Sequence, residues 1–165
     1  MLASVLYLFL TGHSLTVNPV AFTFHGIAPE PGTEKVMPYK LTSDGRWTFH
    51  PGFGLLYRHS YFQAGAMYFR DSFGKHAGAL LLGPNLNFWK YFHIGLAGGF
   101  YARENTVGVK KFPVSYKTSS AEFIPMAVAN FHVTAPIYKN VSLETGVNSN
   151  YVLSVFTVGL KFDFK

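Results

Sequence analysis

Along most of the chain hydrophobic and polar positions alternate with a period of two, the spacing of a strand whose successive side chains point to opposite faces. The pattern recurs in eight segments, 17–25, 50–59, 61–71, 76–89, 91–103, 121–134, 140–148 and 151–164. Segments of this length, rich in aromatic and β-branched residues and broken by turns, predict an all-β fold. Eight of them make a small antiparallel barrel, with residues 17–165 as one domain.

The phase of the alternation says which way the barrel faces. In 91–103, Phe92, Ile94, Leu96 and Phe100 share one face, and His93, Gly95, Ala97, Gly99 and Arg103 share the other. The last segment sets Val152, Phe156, Val158, Leu160, Phe162 and Phe164 against Thr157, Gly159, Lys161 and Asp163. The first sets Val20, Phe22 and Phe24 against Ala21, Thr23 and His25. A soluble lipid-binding barrel of the lipocalin kind would turn the bulky face inward, and glycines beside isolated charges would coat its exterior poorly. The simpler assignment puts the bulky face in lipid and the small, polar face in the lumen, the organisation of a bacterial outer-membrane barrel. Tyr57, Tyr61, Trp89, Tyr91 and Phe92 gather near short turns, as an interfacial girdle does.

Connection lengths agree with that reading. Residues 26–49 and 104–120 are long, whereas the turns at 60 and 90 are short, matching long extracellular loops and short periplasmic turns. His25, Asp71, Ser72, Arg103 and Glu104 are then all expected at the outer rim. The apolar run 2–10 precedes the first strand, and residues 1–16 read either as a shortened export signal or as an apolar N-terminal segment.

Composition narrows the function classes. At 48% hydrophobic residues the chain is too apolar for disorder, yet it contains no uninterrupted apolar run long enough for a membrane-spanning helix. Cysteine is absent, which excludes disulfides and thiolate chemistry. The net charge of +6 suits an anionic partner, but the Lys110-Lys111 pair does not amount to a nucleic-acid module, so none is expected to bind. His13, His50, His59, His76, His93 and His132 lack metal-ligand spacing, and no nucleophile elbow or dinucleotide fingerprint is present, so neither metal nor cofactor is expected.

Four stretches in order carry a family resemblance: the Phe-Thr-Phe-His ending in His25, HPGFGLLYR (50–58), AMYFRDSFGKHAG (66–78) and FHIGLAGGFYAREN (92–105). Together they resemble the PagP-type lipid A palmitoyltransferases over roughly residues 17 to 134. Those are eight-stranded outer-membrane barrels that move a palmitoyl chain from a phospholipid onto lipid A. The resemblance implies a catalytic trio of His25, Asp71 and Ser72, and it matches Arg103-Glu104-Asn105 to the family's Arg-Asp-Asn at the end of strand five, with Glu104 replacing the aspartate. It aligns Gly83 with the glycine that floors the acyl pocket, and Pro125 with a proline that opens a lateral gap for lipids. The chain departs from the family where residues 1–16 lack the charged face of an amphipathic clamp helix. Asn148-Ser149-Asn150 stands where a second gap proline is found, and Phe164-Lys165 stands in place of a terminal aromatic.

Acyl transfer needs a base, a group that orients it and donors for the oxyanion. Ser72 as nucleophile with His25 as its base is one route. Ser72 binding the ester carbonyl while His25 activates the acceptor hydroxyl is another. Asp71 and Ser72 are adjacent and can serve one site only if the strand ends there, which Gly74 favours. Below the rim, Gly65, Met67, Ala79, Leu81, Gly83, Gly95, Ala97, Gly99, Leu153, Val155 and Gly159 are expected to line a narrow apolar tube for one acyl chain, with Met67 and Leu81 touching it. Arg103 and the loop lysines are candidates for lipid phosphates. The expected partners are a glycerophospholipid donor, a lipid A acceptor and the outer membrane, met by a monomer. The competing reading is a non-catalytic small outer-membrane barrel, structural, adhesive or an inactive relative.

Overall fold

The computed structural model describes residues 13–26, 32–88, 91–104, 115–150 and 153–164. The apolar run 2–10, Trp89, Asn105, Lys110 and Lys111 lie outside them. The strands are β1 (His13–His25), β2 (Trp47–His59), β3 (Phe62–Arg70), β4 (His76–Phe88), β5 (Phe92–Glu104), β6 (Tyr116–Lys117), β7 (Ala121–Tyr138), β8 (Val141–Ser149) and β9 (Leu153–Phe164), with one turn of 3-10 helix at Thr33–Val36. All pairings are antiparallel. The order β5-β4-β3-β2-β1-β9-β8-β7 is closed by β5 against β7, and β6 is a two-residue flap on β7, so the barrel itself has eight strands.

The alternation fails as a guide where the register slips. β1 starts at His13 rather than at residue 17, and a bulge around Pro19 shifts its register against both β2 and β9, which hides the earlier part from the alternation. Pro19 sits in that bulge, where a missing amide hydrogen costs least. The extra residue inverts the phase, so Ser14, Thr16 and Asn18 are buried below it and Ala21 and Thr23 above it. β7 likewise runs on to Tyr138 through a slip between Pro136 and Tyr138.

The two faces of the wall differ sharply. Leu80, Leu82, Leu86, Leu96, Phe100 and Ile137 are all about 60% or more exposed, while the buried set is dominated by Thr, Asn, His, Arg and Glu. Near the upper rim Trp47 of β2 packs against Phe24 of β1 and Phe156 of β9 with tilted rings, and near the lower rim Tyr61 and Tyr91 are exposed. No described helix is long and apolar enough to cross a membrane. A closed barrel with an apolar wall is compatible with an outer-membrane protein.

The lower lumen is filled by charged and polar side chains. Arg58 Nη1 donates to Glu144 Oε2 at 2.5 Å, His132 Nδ1 lies 3.3 Å from Glu144 Oε1, and Lys161 Nζ lies 2.7 Å from Asp163 Oδ1. His93 and Asn85 both bond Asn87 Oδ1, at 2.7 and 2.9 Å. The upper lumen is left open.

Candidate functional site

The upper lumen is a cavity of about 690 Å³, within the range of small-molecule pockets. Its mouth is built from strand ends. β1 finishes at His25, whose amide donates to the Arg46 carbonyl at 2.8 Å, and β2 begins alongside with Thr48 and His50 on the lumen face. β3 ends at Arg70, so Asp71 and Ser72 both leave the strand and are both buried against the mouth. The turn that carries them closes with Asp71 N donating to Lys75 O (2.8 Å) and Gly74 N to Asp71 O (2.9 Å), and Gly74 supplies its left-handed residue with φ of 74°.

In this arrangement His25 Nε2 lies 3.0 Å from Ser72 Oγ. Thr48 Oγ1 stands among three partners: His50 Nε2 at 3.0 Å, Ser72 Oγ at 3.3 Å and His25 Nε2 at 3.4 Å. His50 Nδ1 donates to the Arg70 carbonyl at 2.8 Å, so neutral His50 presents Nε2 as an acceptor and takes the Thr48 proton. The Thr48 oxygen can then only accept. The Ser72 proton goes to the nearer acceptor, His25 Nε2, which makes a base–hydroxyl pair with the geometry that general-base chemistry needs.

Asp71 does something different. Its Oδ1 accepts from the amides of Phe73 and Lys75, both at 2.9 Å, and its Oδ2 is buried without a partner among the described residues. Burial pushes its carboxyl above the ordinary aspartate value, against the opposing pull of those two amides and of Arg103. Asp71 thus fixes the turn that presents Ser72.

The remaining sequence candidates separate by position. Met67, Leu81, Pro125 and Arg103 line the cavity with His25, Asp71 and Ser72. Arg103 donates through Nε and Nη2 to Glu122 Oε2 at 3.0 and 2.8 Å. Glu104 is half exposed on the outer wall, 4.0 Å from His76 Nε2. Gly83 stands opposite Gln63 in the β3–β4 ladder, and a Cβ there would strike the Leu96 carbonyl of β5. Its bareness therefore serves a close approach of two strands at the level of the cavity floor.

Beneath the mouth the walls are apolar, with Phe69 and Tyr101 stacked at 6.1 Å under the His25–Ser72 pair. β8 stops at Ser149, opposite Ala129, so residues 124–128 of β7 have no ladder partner on that side among the described residues. Consecutive Pro125, Met126 and Ala127 line the cavity, which means that it reaches this strand edge. Thr48, His50 and Glu122 are the site residues that the sequence reading missed. The shared parity of Thr48, His50 and the lumen face of β2 was the available signal.

Among the described residues no group of three His, Asp or Glu is placed to hold a metal ion. Comparison with protein-family models gives no match, and no curated protein matches the chain.

Proposed function

We propose that this protein is an outer-membrane acyltransferase that moves a fatty acyl chain, palmitoyl by the family resemblance, from a glycerophospholipid to lipid A or a related glycolipid. The observation that carries this reading is the His25–Ser72 pair at the mouth of a long apolar cavity. A base and a hydroxyl there meet the ester of any lipid whose chain occupies the lumen. The exposed apolar wall supports a bilayer setting, and the β7 edge beside Pro125, without a ladder partner among the described residues, supports lateral passage of a lipid.

Two routes use the same atoms. In one, Ser72 Oγ attacks the ester carbonyl as its proton passes to His25 Nε2. The lysophospholipid alkoxide leaves with that proton, and the acceptor hydroxyl then resolves the acyl-serine by the reverse sequence. In the other, the acceptor oxygen attacks directly, losing its proton to His25, while the Ser72 hydroxyl donates to the carbonyl oxygen as charge develops on it. Either way the lysophospholipid leaves with the proton that the nucleophile lost.

The test is a transfer assay read by mass spectrometry, with detergent-folded protein, lipid A and a mixed-chain phospholipid. An acylated lipid A that disappears in Ser72→Ala establishes the reading, and a trapped acyl-serine selects the first route. No product from a folded barrel, with any glycolipid acceptor, overturns it. The second reading, a non-catalytic barrel, is favoured by one observation: the Asp71 carboxylate bonds its own turn rather than His25.

A further inference from the structure

The lower boundary of the cavity is a layer of carboxamides. Asn18 on β1, Gln63 on β3 and Asn130 on β7 line the cavity while more than nine-tenths buried, and the side-chain oxygen of each lacks a hydrogen-bond partner among the described residues. The orientation of Gln63 is fixed by its own donors. Nε2 bonds the carbonyls of Pro84 at 3.1 Å and Leu96 at 3.5 Å, which leaves Oε1 as an acceptor.

Two glycines make room for this layer. A Cβ on Gly95 would collide with Gln63 Nε2 and Asn130 Oδ1, and one on Gly159 would collide with Asn18 Oδ1. Met67, Leu81, Ala97, Val128 and Val155 line the walls, with the amides at the polar end. Following the lumen face of β3 from Asp71 to Gln63, the layer lies roughly 20 Å below the mouth for an ordinary strand rise and barrel tilt.

An apolar slot that ends on buried acceptors is complementary to an amphiphile with a hydrogen-bond donor at its inserted tip. A terminal methyl group would leave those oxygens desolvated and unpaired, the costly half of a lost hydrogen bond. We propose that Gln63, Asn130 and Asn18 form a subsite for a hydroxyl at the far end of a long acyl chain, so that the slot prefers an ω-hydroxylated chain. This inference rests on the acyl-slot reading above, but it concerns binding and does not need turnover.

The experiment measures binding of palmitate and of ω-hydroxypalmitate to the detergent-folded protein, by displacement of a fluorescent fatty acid. The hydroxylated chain is expected to bind about tenfold more tightly, as one net hydrogen bond gives. Gln63→Leu and, as a second variant, Asn130→Leu are expected to erase that preference in barrels shown to be folded by gel mobility. Equal binding of the two chains, or tighter binding of palmitate, overturns the proposal. A transfer assay in parallel separates the two readings. Hydroxyl preference without transfer removes the enzyme and keeps the subsite, whereas transfer without hydroxyl preference does the opposite.

Discussion

His25 Nε2 and Ser72 Oγ meet at 3.0 Å across 47 positions of sequence, at the ends of two strands that are not neighbours in the barrel. β2 lies between them and contributes Thr48, whose oxygen touches both. In the proposed acyl transfer, removing either member of the pair removes the proton transfer. His25→Ala and Ser72→Ala should each lower kcat by about a hundredfold or more, with the barrel still folded by gel mobility. Full activity in both variants would refute the assignment.

In the same proposed reaction Thr48 is the positioning group. Since its proton is committed to His50, its oxygen can share the Ser72 proton with His25 Nε2 only as the longer arm of a three-centre bond, which biases the hydroxyl rotor. Thr48→Val keeps the volume and removes that oxygen, so kcat should fall by about threefold, less than a full net hydrogen bond would give, with KM unchanged. Thr48→Ser should restore the rate. A change confined to KM, or no rescue by serine, would show that Thr48 acts only in packing.

The period-two pattern made the wall legible, because a surface that faces opposite environments leaves its imprint on every second residue. It failed at Pro19, where one inserted residue inverted the phase and hid the first part of β1, and at β6, too short at two residues to show any period. Parity also identified which residues face the lumen, but not their height or their partners. That Arg103 pairs with Glu122, that His50 and Thr48 join the His25–Ser72 pair, and that three amides share one layer all depend on the stagger between strands. Alternation within a strand carries no such information.

Asp71 gives a pH signature. Its folded-state carboxyl is raised by burial, so the native barrel holds that proton more tightly than the unfolded chain does. The resulting stability is complete below the ordinary aspartate value and is lost as pH rises through the raised folded value. Asp71→Asn keeps an acceptor for the Phe73 and Lys75 amides and does not titrate. Its urea midpoint should therefore gain on the wild type as pH rises through that window, and a pH-independent difference would contradict this account.

The lower lumen tests the cost of a buried ion pair. Arg58 and Glu144 are 3% and 1% exposed and bonded at 2.5 Å. Glu144→Ala leaves the guanidinium buried without its carboxylate, and should destabilise the barrel by about 3–5 kcal/mol in urea titrations. The double variant Arg58→Met with Glu144→Leu removes both charges together and should recover most of that loss. A double variant as unstable as the single one would mean that the pair organises the lumen in some further way.

Gly83 and Ala97 separate a wall constraint from a cavity constraint. A Cβ on Gly83 would meet the Leu96 carbonyl and the Ala97 Cα, which belong to the β5 backbone and cannot yield without parting two strands. Gly83→Ala should therefore lower the yield of folded barrel before it changes any chain preference. Ala97 lines the cavity, so a longer side chain there is expected to enter the slot. Ala97→Met should leave folding intact and shift bound or transferred chains to shorter ones, because the added thioether arm occupies the lower slot. Mass analysis of the acyl products, or of bound fatty acids, reads the result. If Gly83→Ala folds normally and shortens the chain while Ala97→Met changes nothing, then Gly83 itself borders the slot and the close strand approach is not what demands a glycine there.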